Sequence, residues 1–244
     1  MTGTLYVVAT PIGNLEDVTL RALRVLKEVD LIAAEDTRRT RVLLSHYGIH
    51  TPLTSYFEHN KLKKGDSLVG RLSEGKSVAL VTDAGTPGLS DPGFHLVRLA
   101  RSAGISVVPV PGPSALTAAL SVSGIPADRF IFEGFLPVKA GRRLAHLRAL
   151  KALERTIFLY ESPHRLLKTL AAVEEVFGSI VLVLFRELTK KFEEIRCGTP
   201  VQLIAHFERE GARGEFTLII PASGRPVDKA GETSMGCPGP PADV

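Results

Sequence analysis

The stretch "SVALVTDAGTPGLSDPG" (residues 77–93) begins as an apolar strand and ends as a loop that no ordinary turn requires. Residues 78–81 are wholly apolar, whereas residues 83–93 hold three glycines, two prolines and two aspartates. Glycine has more conformational freedom to lose on folding than any other residue, so so many in one loop mark a surface that something approaches closely. Gly85 and Gly88 permit positive φ, while Pro87 and Pro92 stiffen the turns. Asp91, just before "PGFHLVRLA", reads as a helix cap with proline at the first helical position. Asp83, at the strand end, is divided between ligand contact and turn formation.

The same pattern repeats outward from this stretch. "LYVVA" (5–9), "DLIAAED" (30–36) and "ISVVPVPG" (105–112) are further apolar runs of strand length, with helical segments between them. Residues 19–29 place Leu20, Leu23, Val25, Leu26 and Val29 near one helical face. Continuous apolar strands alternating with helices imply a parallel sheet covered on both faces, an α/β fold. In such sheets ligands bind beyond the carboxyl ends of the strands. "TPIGNLED" (10–17), "EDTRRTR" (35–41), the glycine loop and "PGPSA" (111–115) are therefore expected to share one rim.

"PVPGPSA" (109–115), with three prolines in five residues, reads as a boundary. The second half contains "RFIFEGFLP", a leucine-striped basic helix, "RTIFLYESPHR", "SIVLVLFRELTKKFEE", a helix near 201–210 and "GEFTLIIP". The reading is two αβα domains, 1–112 and 113–221, hinged near residues 110–125. Residues 222–244 are rich in Gly, Pro and Ser, too poor in large apolar residues to offset the entropy of ordering, and are expected to form a disordered tail.

Composition narrows the function classes. The 244 residues are 44% hydrophobic and 23% charged, with net charge +4, which weakly favours a polyanionic partner. No run approaches the roughly 20 apolar residues of a spanning helix, and no secretory leader is visible, so a cytoplasmic protein without membrane contact is expected. The two cysteines, Cys197 and Cys237, lack histidine partners at metal-ligand spacing, which disfavours a disulfide framework and any metal site. The phosphate-binding glycine signatures of dinucleotide folds and P-loops, the nucleophile elbow and the HExxH zinc motif are all absent from the sequence.

Three constellations carry chemistry. Arg38, Arg39 and Arg41 crowd a helix start, where cations oppose the dipole and need Glu35, Asp36 or a bound anion in compensation. Residues 136–156 set Leu144, Leu147, Leu150 and Leu153 on one stripe. Beside them stand Lys139, Arg142, Arg143, Arg148, Lys151 and Arg155, with Glu154 the lone acid, a cation density expected of nucleic-acid contact. "YESPHR" (160–165) and "RELTKKFEE" (186–194) follow apolar strands and offer Glu161, His164, Arg165, Arg186, Glu187, Thr189 and Lys190 at a second carboxyl edge.

Taken in order, "TLYVVATPIGNLEDVTLRALRVL", "DLIAAEDTRRTRVLL", "SVALVTDAGTPGLSDPG", "VPVPGPSALTAALSVSG", "RFIFEGFLP", "YESPHRLLKTL" and "RELTKKFEE" resemble the ribosomal RNA 2′-O-methyltransferases of the tetrapyrrole methylase superfamily. The likeness spans residues 3–220 and departs locally at "IRCGT" and "RGEF". It implies two αβα domains of the class III S-adenosylmethionine (SAM) methyltransferase type, SAM in a cleft between them, and a homodimer. It further implies methylation of a cytidine 2′-hydroxyl in the decoding region of small-subunit (16S) ribosomal RNA, free or in the assembled 30S subunit. Superfamily SAM contacts fall here on Pro11, Asp83, Ala84, Gly85, Ser114, Ala115, Leu159 and Tyr160. A ribose hydroxyl benefits from a base, for which Glu161 or Glu187 is the candidate, with Arg186 or Lys190 holding phosphate or oxyanion. Arg38, Arg39, Arg41, Arg142 and Arg143 are the expected RNA contacts. A methylase of a corrin or porphyrin precursor is the competing reading, disfavoured by the basic helix and the "TRRTR" cluster.

Overall fold

The computed structural model describes residues 2–89 and 93–222. Asp91, Pro92, Cys237 and the expected tail from residue 223 onward lie outside the described residues. The chain divides into two compact units that meet in sequence at Ser114 and Ala115.

The first unit runs β1 (Thr4–Val8), α1 (Leu20–Glu28), β2 (Leu31–Ala34), α2 (Thr37–His46), β3 (Leu53–Ser55), α3 (Lys61–Ser73), β4 (Val78–Val81), α4 (Gly93–Ser102) and β5 (Ser106–Val110). Its sheet has the order β3-β2-β4-β1-β5 with every pairing parallel. Successive side chains of a strand face opposite ways, and here both ways are covered. Ile32 and Ala34 join Val25, Leu26, Leu43 and Leu44 from α1 and α2. Leu31 and Ala33 join Leu68, Leu72, Leu96 and Ala100 from α3 and α4. All four β2 residues are buried, which is why the strand shows no polar alternation. The Thr19 hydroxyl caps α1 by accepting the Ala22 N–H at 3.1 Å, and the inward stripe is Ala22, Val25, Leu26 and Val29. Leu20, expected on that face, is 86% exposed because it starts the helix on the opposite side from Ala22.

The second unit runs α5 (Ala115–Val122), β6 (Phe130–Phe135), α6 (Ala140–Lys151), β7 (Thr156–Glu161), α7 (Leu166–Phe177), β8 (Leu182–Arg186), β9 (Glu194–Gly198), α8 (Pro200–Glu210) and β10 (Phe216–Ile220). Its sheet has the order β6-β7-β10-β8-β9. Only β6 and β7 pair in parallel; β10 runs antiparallel between β7 and β8, and β9 runs antiparallel to β8. The parallel-sheet expectation therefore fails here. The physical reason is the short connection at 187–193, which turns the chain straight back and so makes a hairpin from a segment that reads as one strand and its tail. Leu147 and Leu150 of α6, Leu170 and Val173 of α7, and Leu203 and Phe207 of α8 share one core with Leu159, Leu184 and Leu218. Leu153, expected on the α6 stripe, lies past the helix end and is 54% exposed. Among the described residues, no helix is long and apolar enough to cross a membrane.

Candidate active site

The parallel sheet brings the four unusual loops to one edge, and hydrogen bonds lock them together. Thr10 and Gly85 exchange backbone bonds in both directions at 2.9 Å, joining the loops after β1 and β4. The Thr10 hydroxyl donates to the Thr82 carbonyl at 3.2 Å, and the Thr86 hydroxyl donates to the Pro113 carbonyl at 3.2 Å. Gly85 sits at φ +83, and a Cβ there would meet Ile12, Pro113 and Ser114 at 3.4–4.0 Å. Glycine is needed at this point for the backbone angle, since L side chains rarely adopt it. Gly88 also has positive φ, +92, with open space where its Cβ would stand.

The acidic pair after β2 does its work within the loops. Glu35 accepts from the Thr82 hydroxyl at 2.6 Å and from the Asp83 N–H at 3.3 Å. Asp83 ties the loop after β4 to the one after β2: one oxygen accepts the Asp36 N–H at 2.8 Å, and the other lies 3.7 Å from the Arg39 guanidinium. Burial, with the Glu35 charge beside it, raises the Asp83 pKa. Asp36 caps α2 through the Arg38 N–H and pairs with the Arg38 side chain at 2.6 Å. That hydrogen bond holds the Asp36 carboxyl well below the usual range. The compensation that the arginine-rich helix start demands is thus internal for Arg38 and Arg39, whereas Arg41 is exposed with no ion pair among the described residues. Thr10, Pro11, Arg39, Thr82 and Asp83 line a cavity of about 80 Å3 at this edge.

In the second unit, β7 and β8 both end where β10 begins, since Phe216 stands opposite Glu161 on one side and Arg186 on the other. The four catalytic candidates share this edge, but in two different conditions. Glu161 is 2% exposed: its oxygens accept the Ser162 N–H at 2.8 Å and the buried Thr169 hydroxyl at 2.6 Å, with Arg165 Nε at 3.4 Å. Arg165 in turn donates to the Leu136 carbonyl at 2.5 Å. Glu187 is partly exposed and accepts from Lys190 at 2.9 Å and from the Glu215 N–H at 2.8 Å. Burial works against its charge, but those two hydrogen bonds outweigh burial and leave its pKa lowered. Burial likewise opposes the Lys190 charge, and its bonds to Glu187 and Glu215 more than compensate. Arg186 donates to the Arg213 carbonyl at 2.8 Å and reaches Glu194 at 3.4 Å.

The remaining candidates sit as follows. Leu159 is fully buried and can offer only its backbone. Tyr160 packs edge-on to Phe132 and Phe158, and its hydroxyl accepts the Leu116 N–H; burial raises its pKa. Arg142 is exposed and unpaired among the described residues. Arg143, one position on, is 5% exposed with its guanidinium 3.4 Å from the Val138 carbonyl, because α6 turns positions 143, 147 and 150 inward. It presents no surface to a phosphate in this structure. Arg148 is committed to Glu175 at 2.9 Å and Lys151 to the Val176 carbonyl at 2.7 Å. Sequence reasoning missed Thr169, Gly214 and Glu215. A lone hydroxyl in the apolar run "LLKTLAAV" is the signal that pointed to the first.

A two-unit α/β chain with a glycine-cornered rim defines a class, and residues 4–203 match the family of tetrapyrrole (corrin/porphyrin) methylases. The chain belongs to that family. It is 52% identical, over 96% of its length and 83% of the relative's, to the ribosomal RNA small subunit methyltransferase I of Pseudomonas aeruginosa. It is 53% identical to the Escherichia coli O157:H7 protein of that name, covering 89% of this chain and 77% of the other. Among solved structures, the uroporphyrin-III-C-methyltransferase of Thermus thermophilus superposes with TM-score 0.64 at 23% identity, over 90% of this chain and 94% of that one. A diphthine synthase gives TM-score 0.70 at 15% identity, covering 90% of each chain. These two show the shared fold.

Proposed function

We propose that this chain transfers the methyl group of S-adenosylmethionine to small-subunit ribosomal RNA, at the 2′-hydroxyl of a cytidine ribose in the decoding region. The observation that carries the reading is the 52% identity, running through 96% of the chain, to a protein named as a ribosomal RNA small subunit methyltransferase; the cytidine 2′-hydroxyl comes from the motif resemblance. When bound, S-adenosylmethionine supplies a methyl carbon already activated by its sulfonium. What supports this placement is the rim of the first unit, where Gly85 lets three loops close to van der Waals distance and a cavity of about 80 Å3 opens among Thr10, Pro11 and Asp83. Pro11, Asp83, Ala84, Gly85 and Ser114 are the residues assigned to hold it there.

The protein's remaining tasks are to align the acceptor oxygen and to receive its proton. Alignment alone supplies roughly 7–11 kcal/mol of a barrier. Of the two glutamates, Glu187 suits the second task, since its carboxylate is partly open and kept anionic by Lys190. Glu161 has both oxygens engaged inside the unit and acts by fixing the loop after β7. Exposed Arg38, Arg41 and Arg142 are assigned to RNA phosphates. By the family resemblance we also propose a cytoplasmic homodimer, which sedimentation would test.

The deciding experiment is methyl transfer from labelled S-adenosylmethionine to 30S subunits from a strain lacking the enzyme, followed by digestion to nucleosides. Label in 2′-O-methylcytidine is the expected result. Label absent from subunits and from free RNA, with transfer to a tetrapyrrole precursor instead, overturns it.

A further inference from the structure

We propose that Phe192 and Lys191 form a nucleotide contact in which the phenyl ring stacks on an unstacked RNA base and the ammonium pairs with the adjacent phosphate. The inference rests on the ribosomal RNA reading above. It starts from the hairpin between β8 and β9. Two non-glycine residues there, Glu187 at φ 51 and Thr189 at φ 64, hold left-handed backbone, which persists only where the surroundings enforce it. The enforcement is visible. The Lys190 N–H donates to the Glu187 carbonyl and the Glu193 N–H to the Lys190 carbonyl, both at 2.9 Å. The Thr189 N–H donates to the Glu193 carboxylate at 2.8 Å, and Lys190 bridges Glu187 and Glu215.

This fixed turn buries one apolar side chain, Leu188 at 9% exposure, and holds another, Phe192, in solvent at 69%. A single exposed phenyl is ordinary on protein surfaces. Phe94, 67% exposed with Arg98 6.0 Å from its ring, shares the neighbouring cation, and what separates Phe192 is its place on this fixed turn, at the edge that carries Glu187. Lys191 stands 5.8 Å from the ring centroid and has no carboxylate partner among the described residues. The acids of the turn are occupied elsewhere: Glu187 by Lys190, Glu193 by the Thr189 N–H, and Glu194 by Arg186 and Arg196. The tip is therefore an aromatic face beside one ammonium that has no carboxylate partner among the described residues, mounted at the edge that carries Glu187. Base stacking on an aromatic side chain with a neighbouring phosphate contact is how single strands are held without sequence preference.

The test uses the full chain, 30S subunits and a single-stranded oligoribonucleotide carrying 2-aminopurine. Phe192→Ala is expected to weaken oligonucleotide binding by about tenfold or more, to remove quenching of 2-aminopurine, and to raise KM for 30S subunits with kcat unchanged. Phe192→Trp restores all three. Lys191→Ala lowers the slope of log affinity against log salt by about 0.7. Wild-type binding and KM in Phe192→Ala would overturn the proposal, as would a Phe192→Trp variant no better than alanine. So would normal RNA binding with lost self-association, which would make the ring a protein contact. A wild-type chain that neither binds nor methylates RNA would overturn the ribosomal RNA reading itself, a separate result.

Discussion

Glu161 offers the sharpest separation between a structural carboxylate and a catalytic one. Its side chain is fully buried, receives the Ser162 N–H and the Thr169 hydroxyl, and faces Arg165 at 3.4 Å. Glu161→Ala leaves both donors without acceptors and Arg165 without its counter-charge. Each lost hydrogen bond to a charged group costs about 1.5–3 kcal/mol, and breaking a buried pair costs about 3–5 kcal/mol in total. A loss of about 4 kcal/mol corresponds to a melting point lower by roughly 8–16 °C in a chain of this size. Glu161→Gln behaves differently. The amide oxygen still accepts from Ser162, the Thr169 hydroxyl turns to accept from the amide nitrogen, and only the attraction of Arg165 is lost. The carboxylate side of that pair is fully buried and the arginine side 22% exposed, so losing the attraction costs about 1.5–3 kcal/mol, less than the alanine change because both hydrogen-bond donors keep partners. Calorimetric melts of both variants, with methyl transfer measured well below either transition, form the assay. Glu161→Ala melting within 2–3 °C (about 1 kcal/mol) of wild type would refute the energetics. Glu161→Gln with a normal melt but kcat reduced by about 100-fold would return Glu161 to proton transfer.

Other perturbations follow from the same contacts. Gly3→Ala places a Cβ 1.9 Å from the Lys76 backbone carbonyl, which cannot rotate away, and is expected to cost roughly 1–3 kcal/mol in urea unfolding. Gly214→Ala, at φ +87 with Glu187 2.5 Å from the new Cβ, is expected to dislodge Glu187 from the Glu215 N–H; RNA methylation falls while S-adenosylmethionine affinity by calorimetry stays at the wild-type value. Glu187 and Glu194 are both held below their ordinary pKa, so their stabilisation is complete above the ordinary carboxylate range and is lost as pH falls through the depressed values. The urea midpoint should therefore drop below about pH 5, and the acid limb should flatten in Glu187→Gln. Arg41→Ala and Arg142→Ala should each reduce the salt slope of RNA binding by about 0.7 without moving the melt. Arg143→Ala, by contrast, should lower the melt, since that side chain is inside.

Much of this was legible because apolar runs in a parallel sheet are buried on both faces and leave no competing pattern. β2 and β4 are such runs, β1 and the edge strand β5 keep the apolar pattern though only partly buried, and the loops of all four fall on one edge for the reason the strands are parallel. The hairpin at 187–193 was not legible, because its left-handed positions are Glu187 and Thr189 rather than glycine or asparagine. Tertiary contacts with Glu215, distant in sequence, impose that backbone. Arg143 misled for a related reason: a basic residue counts as surface in any charge pattern, and only the helix phase set by Leu147 and Leu150 turns it inward. Glu161 and Glu187 look alike in sequence, each closing an apolar strand, and only Thr169, eight residues along, distinguishes their surroundings.

The central place of β10 bears on how the chain is made. Every strand of the first sheet has emerged by Val110, so that unit can complete its hydrogen bonding while synthesis continues. The second sheet cannot, because the strand joining its β6-β7 and β8-β9 halves is the last to be synthesised. At about 5–20 residues per second, β7 and β8 wait for several seconds with facing edges open. During that interval the two half-sheets are exposed to wrong pairings, and the last few residues of the described chain decide whether they close.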